Sequence, residues 1–448
     1  MDPQLYATRR DAVPFTFKIT INMYKKILTI TLLAFTLCST LEAQKMPKRA
    51  DVLKAMNCAN DYFIRKYPDA TKPTFVKRER PSNLWTRGVY FEGLMELIKL
   101  NPNNQQNTDY MESWGSFHKW TPRNGVKTRD ADDYCCSQAY LDYYNWKKYI
   151  SSTILKTSVS LKVNLMVDAS MIEPTKTCMA NLMELADTEP DPNSKAKFNG
   201  SSIHDWTWID AIQMGLPVLT TLEAMADTKE EAEAYSKQAY RMYIWTRDTL
   251  AGGLFNEAEG LWWRDKDFVP PYKEPNGENC YWSRGNGWVY AALVRAMEDA
   301  MESKNKGNHN DHFSTYKADF LSMTKALVKC QRKDYFWNCS LHDDTHFGGK
   351  ELTGTSLFIY GMAWGVRNNM LDKETYLPII AKTWKAMVKK CLHKNGFLGY
   401  VQGTGKEPKD SQPVGYDTEP DFDDYGLGCF LLAGSEVYKL AWEVKKAK

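Results

Sequence analysis

The chain has 448 residues, 25% of them charged and 43% hydrophobic, with 26 Gly and 19 Pro; this excludes a disordered chain, a collagen-like fibre and a disulfide miniprotein. A formal charge of +3, from 58 basic and 55 acidic residues, supplies no field for nucleic acid. Aromatic content of 13%, with 15 Trp and 25 Tyr, fits either core packing or platforms for sugar rings.

In chain order, residues 1–43 read as targeting rather than fold. Lys25 and Lys26 precede an apolar run over 27–37 that is too short to span a bilayer, and Ala43 offers a cleavage site before Gln44. Met23 fits the start of such a signal better than Met1, which leaves 1–22 as an upstream segment. Export to the periplasm or the medium is expected. A lipid anchor on Cys38 is the lesser alternative, because Phe35-Thr36-Leu37 is a poor approach to a lipidated cysteine. No later segment resembles a membrane span, and residues 44–448 read as one domain.

Helical periods then follow at 52–67, 86–100, 132–146, around Leu165, 175–186, 205–226 (broken at Gly215 and Pro217), 230–246, 287–298, 313–328, 355–366, 377–388 and 425–441. About twelve helices without strand alternation predict an all-α fold of paired helices. The period is not strict enough for a solenoid. Two aromatic-rich connections, 102–129 and 254–285, are candidate binding loops. The stretches 187–197 and 304–312 read as solvated connections. Cys58, Cys135, Cys136, Cys178, Cys280, Cys330, Cys339, Cys391 and Cys429 are odd in number and form no CxxC pair, so most are read as small buried hydrophobes, with room for a disulfide or two.

Three constellations carry chemistry. His204-Asp205-Trp206-Thr207-Trp208-Ile209-Asp210 runs into an apolar helix, with Trp206 and Asp210 on one face. Desolvation beside an indole raises a carboxyl pKa, as a general acid requires; the structural alternative has Asp205 as a cap and Asp210 paired with an arginine. Asp132 and Asp133 open a helix, either as N-terminal capping carboxylates or with one of them sharing a cleft with Asp210. Tyr281-Trp282-Ser283-Arg284-Gly285-Asn286-Gly287-Trp288 presents an arginine fork on tight backbone before a helix, suited to a carboxylate or to a structural ion pair, with Trp282 and Trp288 as walls. Trp262-Trp263-Arg264-Asp265 could line one side of a cleft, with Tyr272 a weaker candidate. His342 and His346 lack the Glu that a zincin pair requires, and neither a phosphate loop nor a GxSxG elbow occurs.

Trp208-Ile209-Asp210, the string Trp282 to Trp288, Gly354-Thr355-Ser356-Leu357-Phe358-Ile359-Tyr360-Gly361 and the ending Tyr425-Gly426-Leu427-Gly428-Cys429-Phe430 resemble the unsaturated rhamnogalacturonyl hydrolases of glycoside hydrolase family 105, related to the unsaturated glucuronyl hydrolases of family 88. The resemblance runs over about 50–445. It implies an (α/α)6 barrel, Asp210 as proton donor, Asp132 as second carboxylate, and Arg284 in a substrate-contacting neighbourhood. The chain departs from the family in having Ser137 where a Gly is common, and Asn256 with Trp263-Arg264-Asp265 where some members place a His. Trp206, Trp208, Trp263, Arg264, Trp282 and Trp288 are therefore the remaining substrate-binding candidates.

The implied reaction is acid-catalysed hydration of the C4=C5 bond of a non-reducing-end uronic acid, an unsaturated galacturonyl linked to rhamnose, without metal or cofactor. The expected partner is that oligosaccharide, handled by a monomer or homodimer. Alternatives are an unsaturated glucuronyl hydrolase, an ordinary inverting glycosidase, or a sugar-binding protein without turnover.

Overall fold

The computed structural model describes residues 46–76, 78–154, 167–188, 202–303 and 310–446. The targeting segment, the helix expected around Leu165, and most of the connections 187–197 and 304–312 lie outside the described residues. The helices and hairpins all belong to the unit Pro47–Lys448.

Twelve long helices follow one another among the described residues: α1 (Arg49–Lys66), α2 (Trp85–Leu100), α3 (Gln105–Phe117), α5 (Cys136–Ile154), α6 (Glu173–Met183), α7 (Asp210–Met225), α8 (Lys229–Ile244), α9 (Ser283–Glu302), α10 (Asn310–Lys329), α11 (Leu352–Arg367), α12 (Lys373–Lys390) and α13 (Asp424–Lys446). A single turn, α4 (Ala131–Tyr134), leads into α5. Contacts run α2 to α5, α7, α9, α11, α13 and back to α2, so six helices close a ring. The others alternate with them in sequence, and five of these six pack on a ring helix from outside, α1 on α13, α3 on α2, α8 on α7, α10 on α9 and α12 on α11. This is an (α/α)6 barrel.

Side-chain pattern decides which helix goes where. Every residue of α11 from Leu352 to Val366 is buried, as is every residue of α7 from Asp210 to Glu223. A helix that is apolar all round needs partners all round, which the ring provides. The outer α8 buries only Ala232, Tyr235, Ser236, Gln238, Ala239, Met242 and Tyr243, a one-sided stripe. Small residues let the inner helices close: a Cβ on Gly428 would stand 2.2 Å from the Val89 carbonyl of α2, and one on Gly354 would stand 2.2 Å from Ser283 Oγ of α9.

Because inner and outer helices alternate, the inner ones run parallel and start at one rim. The connections reaching that rim are long, at 67–84, 118–130, 184–209, 245–282, 330–351 and 391–423, whereas 101–104, 226–228 and 368–372 at the other end are short. The rim carries two small hairpins, β1 (Thr74–Val76) with β2 (Arg78–Arg80), and β3 (Phe255–Asn256) with β4 (Leu261–Trp262).

Three sequence expectations need correction. The connection 102–129 contains α3, whose Asn107, Tyr110, Met111 and Trp114 are buried at helical spacing and whose N-cap Asn104 accepts from Asn107 N; its Asn and Gln content hid the period. Helix α9 begins at Ser283, so Arg284, Gly285 and Gly287 lie within its first turns. Their glycines serve close packing: a Cβ on Gly287 would stand 2.9 Å from Leu357 of α11. Pro217 does not break α7. Among the described residues all nine cysteines are free, seven of them buried, and no helix is long and apolar enough to cross a membrane.

Candidate active site

Asp210 is the first residue of α7 and is buried. A backbone bridge between Trp208 and Asp265, with Ile209 N donating to Arg264 O at 3.0 Å, lays the segment after β4 beside it. Arg264 Nε consequently donates to Asp210 Oδ2 at 3.2 Å, and its Nη1 donates to Asp265 Oδ2 at 2.7 Å. Asp132 enters from α4, where Asp130 caps the turn by accepting from Asp132 N at 3.0 Å. An ion pair between Arg129 and Asp205 at 3.3 Å ties the two carboxylate-bearing segments together, and Trp206 Nε1 donates to Tyr134 OH at 3.1 Å across the same seam. Ile203, His204 and Asp205 all have positive φ (27°, 52° and 65°), a strained turn that aims the chain into α7.

The electrostatics follow from this crowding. Burial, then the charges of Asp130 and Asp210, push the Asp132 carboxyl well above its ordinary value, against the pull of Arg264. Burial raises Asp210 too, while Arg264 and then Arg284 oppose the rise. Both carboxyls thus lie in the field of one guanidinium, which is bonded to Asp210 and Asp265. Arg264 bonds Asp210 directly and reaches Asp132 only through its charge. Asp132, Trp208, Trp263 and Arg264 all keep partial exposure and form the open face of the site.

The other candidates are placed differently. Asp133 is buried, and its carboxylate accepts from Arg123 Nη1 (2.9 Å), Asn124 Nδ2 (2.9 Å) and Thr128 Oγ1 (2.6 Å), so it holds the 123–128 loop and leaves Asp132 as the carboxyl facing Asp210. The Arg284 fork is filled by main-chain carbonyls: Nη1 donates to Gln402 O at 2.6 Å and Nη2 to Gly403 O at 2.8 Å, with the guanidinium 4.6 Å from the Trp282 ring centroid. It anchors the 400–410 loop and acts on Asp210 only through its charge. Trp206, Trp282 and Trp288 are at most 1% exposed, which removes them as stacking walls. His342 and His346 pair with separate glutamates, Glu259 and Glu274, and among the described residues no cluster of three or more His, Cys, Asp or Glu could hold a metal ion.

Sequence reasoning missed several contributors. Asp265, named in the Trp262-Trp263-Arg264-Asp265 string only as part of a cleft wall, fixes Arg264 in place. The link between Arg129 and Asp205 had none, being a contact between distant segments. Trp85, the first residue of α2, stands at the same rim and is partly exposed, 5.5 Å from the Tyr425 ring and 6.3 Å from Trp288.

A closed ring of helices with acidic residues at the N-terminal rim is an architecture of carbohydrate-active hydrolases. The chain matches the model of Glycosyl Hydrolase Family 88 over residues 55–441 and belongs to that family, within the wider family 88 and 105 group of unsaturated uronyl hydrolases. It is 30% identical over 367 residues to an unsaturated 3S-rhamnoglycuronyl hydrolase of Formosa agariphila, covering 80% of this chain and 84% of that protein. Among solved structures it is similar to a polysaccharide lyase (25% identity, TM-score 0.68, 87% of this chain and 97% of that one). It also resembles a family 88 glycosyl hydrolase from Bacteroides vulgatus (23% identity, TM-score 0.70, 88% and 100%).

Proposed function

We propose that the protein removes a 4,5-unsaturated uronic acid from the non-reducing end of a lyase-generated oligosaccharide by hydrating its C4=C5 bond. The observation that carries this is the proximity of Asp132 and Asp210, both raised by burial, with Arg264 bonded to Asp210 and its charge acting on Asp132.

An entering uronate competes with Asp210 for Arg264. Losing that partner lifts the Asp210 pKa further, so that Asp210 holds the proton the reaction needs. Asp210 then protonates C4, and positive charge develops at C5 beside the ring oxygen. Water adds at C5 and gives its proton to a carboxylate of the pair. The hemiketal opens to a C5 ketone, which frees the ring oxygen as a hydroxyl on C1; that hemiacetal collapses to an aldehyde and expels the aglycone as an alcohol. Trp208 and Trp263, with Trp85 at the same rim, offer ring faces for the sugars. No cofactor enters the scheme.

The Formosa agariphila relative is named for a rhamnoglycuronyl unit, which favours rhamnose as the aglycone. We place galacturonyl first and glucuronyl as the alternative at the uronic position. Export by the signal over 1–43, leaving the barrel of 44–448, belongs to the same reading.

The test is ultraviolet absorbance of the conjugated uronate, followed on an unsaturated uronyl-rhamnose disaccharide with rhamnose assayed alongside. A falling signal with rhamnose released supports hydration. The likeness to a polysaccharide lyase makes a second reading specific: a lyase creates the double bond, so absorbance would rise on the saturated polymer. Flat traces on galacturonyl and glucuronyl substrates alike leave a sugar-binding barrel without turnover.

A further inference from the structure

A cavity of about 530 Å³ opens at the other end of the ring, within the size range of small-molecule sites. Arg284 in the first turn of α9 belongs to the rim, and Asp299 near its end lines the cavity, so the two places are about 22 Å apart along that helix. The cavity is bounded by the last turns of parallel inner helices, whose carbonyl ends carry partial negative charge.

The cations around it are engaged by more than one acid or locked to one. Lys99 bonds Glu96 at 2.8 Å and lies 3.6 Å from Asp142, Lys439 bonds Glu96 at 2.7 Å and Glu436 at 2.8 Å, and Arg295 bonds Asp142 at 3.1 Å. Among the described residues Asp299 has no such partner. Its carboxylate accepts only from the hydroxyls of Thr220 (2.7 Å) and Thr221 (3.0 Å), and burial outweighs the pull of Arg295 to hold it up at about 7. Glu302 lines the same cavity and is exposed. Among the described lining residues the charge left over is negative.

A second observation points to an occupant. Tyr360 lines the cavity, is 4% exposed, and its hydroxyl has no hydrogen-bond partner among the described residues. Trp146 and Tyr149 of α5 also line the cavity, across the ring from Tyr360 of α11. Aromatic faces beside unmatched carboxylates suit an organic ammonium, whose cation–π attraction adds to its ion pairing.

We propose that this cavity binds a small aliphatic amine carrying one or more ammonium groups, through Asp299, Glu302 and Tyr360. The site is separate from the uronyl site and does not depend on the reading of that site.

The experiment is calorimetric titration of the full chain with spermidine at low ionic strength, compared with Mg²⁺ at matched ionic strength. Saturable spermidine binding that Asp299→Asn weakens about ten-fold or more, the loss of a charged hydrogen bond, supports the proposal. Glu302→Gln, on an exposed residue, and Tyr360→Phe, which removes only the hydroxyl, should each weaken binding while thermal melting and turnover stay unchanged. Absence of heat, equal heat in all three variants, an equal response to Mg²⁺, or competition between spermidine and the uronyl substrate would each overturn it.

Discussion

The two ends of the helical ring use the same chemical stock to opposite effect. At the N-terminal rim, long connections bring Asp132, Asp210 and Asp265 around one arginine, and six helix N-termini add positive potential. At the C-terminal end, carboxylates outnumber the lysines and arginines that face them, and the helix ends add negative potential. Buried acids of raised pKa occur at both ends, in Asp132 and in Asp299. A perturbed carboxyl therefore does not identify the reacting site. The direction of the helices and the cation within bonding distance decide whether an anion or a cation is welcome.

The largest effect expected at the rim is from Asp210→Asn. It should lower kcat by about 10³-fold or more, as the loss of a general acid does, with the melting temperature nearly unchanged. A variant retaining full turnover would sink the assignment. Next is Arg264→Lys, which keeps the charge but loses the planar fork shared by Asp210 and Asp265; kcat/KM should fall about 10²-fold, and a steady-state comparison with an amidated substrate should show most of the discrimination against the amide gone.

Arg284→Lys should act on the fold. Its bonds to the Gln402 and Gly403 carbonyls make the loss about 2–3 kcal/mol, read by denaturant unfolding, with KM for the uronate moving less than in Arg264→Lys.

Asp132→Asn separates function from stability. The folded carboxyl titrates above its ordinary value of 3.8, so the folded state binds the extra proton. Stability associated with it is present below that value and lost as pH rises through the folded pKa. The variant should lose activity yet melt higher than the parent at about pH 8, and match it at about pH 4. Equal melting at both pH values would argue that Asp132 is not raised. The smallest effect is Trp208→Ala, which should raise KM about ten-fold with kcat largely kept, as loss of a stacking face does.

Much was legible in the sequence because it is written in local periods. Helical spacing located eleven of the twelve long helices among the described residues and missed α3 (Gln105–Phe117), while the division into inner and outer helices was left to the structure. Asp210 beside its tryptophans and the Trp263-Arg264-Asp265 string were visible for the same reason. Single positions failed where local chemistry was ambiguous. Nothing in the sequence distinguishes Trp206, buried against Tyr134 and Gly215, from Trp208, which keeps surface two residues later. The choice between Asp132 and Asp133 and the role of Arg284 lay beyond it too. A carboxylate or guanidinium is functional or structural according to what lies within about 3 Å of it, and for Asp133 and Arg284 the partners come from loops brought close only when the ring closes. Sequence alone determined the helical class and the residue types at the rim. Tertiary structure decided which of them face each other and which are locked away, because closure of α13 on α2 sets all six helix N-termini, and the long loops before them, around one opening.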